Sequence, residues 1–140
     1  MSKVAVVYWS GTGNTQAMAS AVAGGAKGAG AEVSLLTSSE FSADKVSGFD
    51  SIAFGCPAMG AEVLEESEFD PMFTAVESAL AGKKIGLFGS YGWGDGQWMR
   101  DWEERCKSDG VVFASDSVTA NNAPDDSALD ECRSLGIALA

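Results

Sequence analysis

Three short segments hold the residues whose types and spacing could do chemistry. "SGTGNT", residues 10–15, sets two glycines among hydroxyl and amide side chains, directly ahead of a helical stretch. A helix N-terminus offers free N–H groups and partial positive charge, a ready site for phosphate. Ser10, Thr12, Asn14 and Thr15 add hydroxyl and amide groups, and Gly11 and Gly13 let the backbone approach closely. The same residues also read as an N-cap with a glycine turn. "SYGWGDGQW", residues 90–98, sets Trp93 between two glycines, where the backbone gives little reason to bury it. A large flat side chain there suits a lid for a flat ring. "GCPAMGAE", residues 55–62, offers the soft, polarizable Met59 beside Gly60.

Several rival chemistries fail on residue type. The first segment lacks the lysine of a nucleotide-triphosphatase loop, and Gln16 stands where a dinucleotide fingerprint needs its third glycine. A receiver domain needs acids at the end of the first strand, which here reads Tyr8, Trp9, Ser10. A small phosphatase needs an arginine six residues after its cysteine, but Glu62 and Val112 follow Cys56 and Cys106 at that spacing. Cys56 reads better as a small buried apolar residue. Histidine is absent, which removes the commonest acid–base group and metal ligand. No catalytic set and no metal cluster is expected. A phosphate loop without lysine or arginine suits a ligand that stays bound rather than one that is cleaved.

The elements that must position these segments follow from apolar runs. Val4–Tyr8, Val33–Leu36, Ile52–Phe54, Ile85–Phe88 and Val111–Phe113 are continuous rather than alternating, as in parallel strands buried on both faces. Helices are expected at about Asn14–Lys27, Asp70–Leu80, Gln97–Lys107 and Asp125–Leu139, with only a turn of helix between the second and third strands. Gly24–Gly25 inside the first helix is a weak spot. The pattern is α/β: one doubly wound domain, residues 1–140, with a five-stranded parallel sheet and helices on both faces. Ligands of such sheets bind at the carboxyl edge, where the strand order reverses. In the order 2-1-3-4-5 the loops after strands 1, 3 and 4 are neighbours, so the three segments would meet.

Composition adds context. Twenty acids face nine bases, a net charge of −11, which argues against nucleic acid and anionic membrane surfaces. It favours a basic protein partner reached by electrostatic steering. Three scattered cysteines suggest reduced thiols. The start "MSKVAVVYWS" shows no signal-peptide pattern, and no apolar run is long enough to span a bilayer. A soluble, cytoplasmic chain is expected, monomeric by default.

Taken together, "SGTGNT", "CPAMG" and "FGSYGWGDGQW" resemble the short-chain flavodoxins along the whole chain. That family is itself a standard example of the switch-point rule, so the strand order and the ligand, FMN, come with the resemblance. The resemblance implies that Ser10, Gly11, Thr12, Gly13, Asn14 and Thr15 wrap the FMN phosphate. Trp93 stacks on the outer face of the isoalloxazine ring, with Tyr91 and Gly94 in the same loop. Met59 covers the inner face, with Pro57 and Ala58 beside it as cofactor-binding residues. Trp98 lies near the phosphate or, four residues from Trp102, packs in the core. Ser90, Gly92 and Asn122 border the ribityl chain by position. The Met59–Gly60 peptide flips on reduction, so that its carbonyl accepts from the flavin N5–H, and Glu62 bonds the ring near N3.

The implied function is a low-potential one-electron carrier rather than an enzyme, cycling mainly between semiquinone and hydroquinone and standing in for ferredoxin-type carriers. Glu62, Glu65, Glu66, Glu68 and Asp70 crowd the segment beside the ring. One acid ~10 Å from an anionic reduced ring costs ~1.7 kcal/mol at an effective dielectric of ~20, or ~70 mV for one electron. The same acids suit docking by reductases or ferredoxin-dependent oxidoreductases with basic faces, and Glu65 and Glu66 are expected to contribute. The alternatives are a small FMN-dependent quinone or nitro reductase on the same fold, and a binding module that has lost FMN.

Overall fold

A computed structural model describes residues 2–11, 13–59, 63–92 and 94–140. Strands β1 (Lys3–Tyr8), β2 (Glu32–Thr37), β3 (Ser51–Gly55) and β4 (Lys84–Tyr91) pair in parallel in the order β2-β1-β3-β4. The fifth position is shared by two pieces, β5 (Val112–Phe113) and β6 (Val118–Asn121), both parallel to β4. The order 2-1-3-4-5 therefore holds, but the single fifth strand expected at Val111–Phe113 is broken. Ser115, Asp116 and Ser117 interrupt it, residues that favour turns over strands. β6 alternates buried Val118 and Ala120 with exposed Thr119 and Asn121, so it carries no continuous apolar run.

Alternation along β1 divides the core into two layers. Val4 and Val6 face one side with Ala53 and Phe88, under helices α1 (Asn14–Gly28) and α4 (Asp126–Leu139). Ala5 and Val7 face the other with Ile52, Phe54 and Leu87, under α2 (Phe69–Val76) and α3 (Gln97–Ser108). The link between β2 and β3 holds two 3-10 turns, and α2 ends in a third at Glu77–Ala79, short of Leu80. Gly25 is no weak spot. A Cβ there would lie 2.1 Å from the Arg133 carbonyl oxygen, and one on Gly136 would lie 2.0 Å from that of Val22. The two glycines let α1 and α4 pack backbone to backbone, and tertiary contact outweighs their low helix propensity. Among the described residues no helix is long and apolar enough to cross a membrane.

Candidate functional site

The strands end level at one edge. Tyr8 pairs with both Thr37 and Gly55, and Gly55 pairs with Phe88. Hydrogen bonds carry the ladder past the strand ends: Trp9 N–H donates to the Gly55 carbonyl at 3.0 Å and Ala58 N–H to that of Ser90 at 2.9 Å. The loops leaving β1, β3 and β4 meet here around an open pocket of about 260 Å³. Its walls are Trp9, Gly11 and Asn14 from the first loop and Pro57, Ala58 and Met59 from the second. Ser90, Tyr91 and Gly92 come from the third, and Asn122 from the turn after β6. A pocket that encloses a drug-sized ligand spans ~300–1,000 Å³, so the described walls alone outline somewhat less than such a site. A hollow of about 380 Å³ lies at the opposite edge, among Lys3, Glu32, Asp44 and Phe49, where none of the three loops reaches.

The first loop is built for an anion. Gly13, at φ 95°, is the N-cap of α1 and has no side chain to close it. No acid occupies the first turn, so its free N–H groups keep their partial positive charge. The Ser10 hydroxyl accepts from Gly13 N–H at 3.0 Å and folds the loop back on itself. Thr15 does not line the pocket. It is buried, and its hydroxyl lies 3.1 Å from that of Ser90, tying the first loop to the third. Asn122 takes a left-handed conformation, φ 61°, which asparagine tolerates, and its N–H donates to the Tyr91 carbonyl at 2.7 Å. No lysine or arginine stands among the described walls.

The second loop is fixed at both ends of residues 60–62. Met59 N–H donates to the Val63 carbonyl at 2.9 Å, and Val63 N–H to that of Met59 at 3.1 Å. Cys56 is fully buried, and burial pushes its thiol up to about 12, so it is no nucleophile. Gly94 follows Trp93 at φ 86°, beyond the pocket's walls. Trp98 lies in the core at 1 % exposure and is not among the pocket's walls. Thr12, Gly60, Glu62 and Trp93 lie outside the described residues. Trp9 is a wall that the sequence did not reveal. Its place directly before the glycine loop was the available signal, and a Cβ on Gly11 would lie 3.0 Å from its ring.

The acidic run divides into separate tasks. Glu65 is only 5 % exposed and is not a docking residue. Its carboxylate accepts from the N–H groups of Ser67, Glu68 and Phe69 and from the Ser67 hydroxyl, and so closes the start of α2. Burial opposes its charge, but those hydrogen bonds outweigh burial and hold the carboxyl at about 2. Asp70 pairs with Arg105 at 2.8 Å, and Arg105 also binds Glu77. Glu66 and Glu68 remain exposed. Among the described residues no cluster of three histidines, cysteines or acids could hold a metal ion.

Comparison with known proteins agrees with this fold. The family model described as Flavodoxin matches residues 6–136. The flavodoxin of Megasphaera elsdenii is 46% identical over 137 residues, covering 98% of each chain. That of Clostridium beijerinckii is 45% identical over 135 residues, covering 96% of this chain and 97% of the other. A solution structure of the two-electron reduced Megasphaera elsdenii flavodoxin superposes with a TM-score of 0.89, covering 97% of each chain at 46% identity.

Glu65 gives a pH-dependent test. Its folded-state pKa lies below the ordinary ~4.3, so its stabilisation is complete above that value and is lost as pH falls towards about 2. Glu65→Gln is expected to lower unfolding free energy by ~1.5–3 kcal/mol at pH 7, and the gap to wild type should close in urea melts towards pH ~2. A gap of the same size at both pH values would show that Glu65 stabilises through shape alone.

Proposed function

The chain belongs to the flavodoxin family, and from that premise we propose a low-potential one-electron carrier, cycling mainly between the semiquinone and hydroquinone of FMN. Flavodoxins are electron-transfer proteins rather than enzymes, and their cofactor is FMN. The finer reading rests on one observation: three loops converge on one open pocket beside an uncapped helix N-terminus. The residues present fit a phosphate at one end and a flat ring at the other. Bound FMN supplies the redox chemistry, and the chain binds, orients and shields it.

Ser10, Gly11, Thr12, Gly13 and Asn14 hold the phosphate through N–H, hydroxyl and amide groups. Thr15 contributes its backbone N–H, since its hydroxyl is engaged with Ser90. Pro57, Ala58 and Met59 form the inner wall. Trp93, with Tyr91 and Gly94, forms the outer one. Ser90, Gly92 and Asn122 border the ribityl chain. Met59 and Val63 pair with each other on either side of residues 60–62; in this reading the Gly60 peptide would turn its carbonyl towards N5 and Glu62 would bond the ring near N3. Such a carrier would stand in for ferredoxin-type proteins as a cytoplasmic monomer.

Two measurements check this. Titrated into the flavin-free chain, FMN is expected to bind at least ~100-fold more tightly than riboflavin, because several charge-assisted hydrogen bonds are lost with the phosphate. Equal affinities would contradict a phosphate at the start of α1. Reductases and ferredoxin-dependent oxidoreductases with basic faces would dock over the exposed carboxylates of Glu66 and Glu68. Replacing both with glutamine should slow electron transfer to a basic partner severalfold at low ionic strength and flatten its salt dependence. An unchanged salt dependence would remove this face from the docking surface.

A further inference from the structure

The second wall of the pocket depends on a contact that lies behind it. The Trp98 indole N–H donates to the Cys56 carbonyl at 3.2 Å, across a sequence separation of 42. Cys56 stands where β3 ends and the segment Pro57–Met59 begins. Its carbonyl is wedged: a Cβ on Gly89 would lie 2.2 Å from that oxygen and 3.2 Å from Cζ2 of Trp98. The oxygen is thus held between the backbone of β4 and the edge of the indole. The same indole tilts against Tyr91, ring centres 5.4 Å apart, and so touches the third loop as well as the second.

Trp102 makes the contrast. It sits one turn further along α3 and is 2 % exposed, packed edge-on against Phe69 and Phe73. Its indole nitrogen is buried with no hydrogen-bond partner among the described residues. Two buried tryptophans on one helix therefore differ towards the pocket: Trp98 has the Cys56 carbonyl as acceptor and Tyr91 as ring neighbour, and Trp102 has neither.

We propose that Trp98 is a positioning residue for the pocket. Its indole N–H fixes the Cys56 carbonyl, and through it the height at which Ala58 and Met59 meet the ring. Without that donor the buried carbonyl is unsatisfied, and the segment relaxes to find another partner. The amides of Ala58 and Met59, bonded to the carbonyls of Ser90 and Val63, report this movement directly. The effect on flavin rests on the proposed function; the movement itself does not.

The test compares Trp98→Phe with Trp102→Phe in the full-length chain, with and without FMN. Trp98→Phe is expected to speed amide hydrogen exchange at Ala58 and Met59 at least ~10-fold relative to the amides of β1, and to weaken FMN binding ~10-fold. Trp102→Phe should leave both unchanged. A third variant with β-(3-benzothienyl)alanine at position 98 keeps the ring's shape and lacks only the donor, and it should behave as Trp98→Phe does even if the smaller ring unfolds the core. Unchanged exchange at Ala58 and Met59 overturns the proposal, as does equal acceleration throughout the core. Faster local exchange with unchanged FMN affinity also overturns it, because the segment's height would then not matter to the ring. A wild-type chain that binds no FMN would instead refute the proposed function, and the exchange pattern alone would still decide the role of Trp98.

Discussion

The handedness of the crossovers on either side of β1 is the constraint on which the site depends. Parallel strands joined by right-handed crossovers put α1 on one face as the chain moves from β1 to β2. They put α2 and α3 on the other face as it moves outward from β3 through β4. The loop after β1 and the loop after β3 therefore leave the same edge towards opposite faces. The crevice between them cannot be closed by either helix, and it becomes the pocket. Its floor is the end of the sheet, tied by Trp9 N–H to Gly55 and Ala58 N–H to Ser90. Its two sides are joined underneath by the buried pair of Thr15 and Ser90.

Charge at this edge is arranged by what is left out. The start of α1 has neither a capping side chain nor an acid, and among the described residues an anion there would meet N–H groups, hydroxyls and amides. A lysine there would strengthen phosphate binding but would also offset charge on a reduced ring nearby. The chain carries its acids instead, and the structure shows that they do not act as one block. Glu65 is enclosed by the start of α2, and Asp70 is neutralised by Arg105. Among the described residues of the run, fewer carboxylates stay free than the sequence suggests, and those at Glu66 and Glu68 are screened by solvent.

Much of this was legible in the sequence because it is local. Continuous apolar runs mark strands covered on both faces, and the glycine-rich loops follow them directly. What could not be read depends on partners distant along the chain. The packing of Gly25 needs Gly136, and the buried role of Glu65 needs the first turn of α2 to form beneath it. β6 escaped because an edge strand covered on one face alternates and lacks the apolar signature. Trp98 looked equally suited to the phosphate and to the core, since only the fold shows which acceptor its nitrogen meets.

The most direct test of the account is a stepwise anaerobic reduction of the FMN-loaded chain, followed by visible absorbance and potential together. If the pocket holds the flavin ring between its second and third loops, as proposed, the two electrons should separate. The spectrum should pass from yellow through blue to colourless, with the second step at a potential well below that of free FMN. Bleaching in a single two-electron step, or a second potential equal to that of free FMN, would contradict the account.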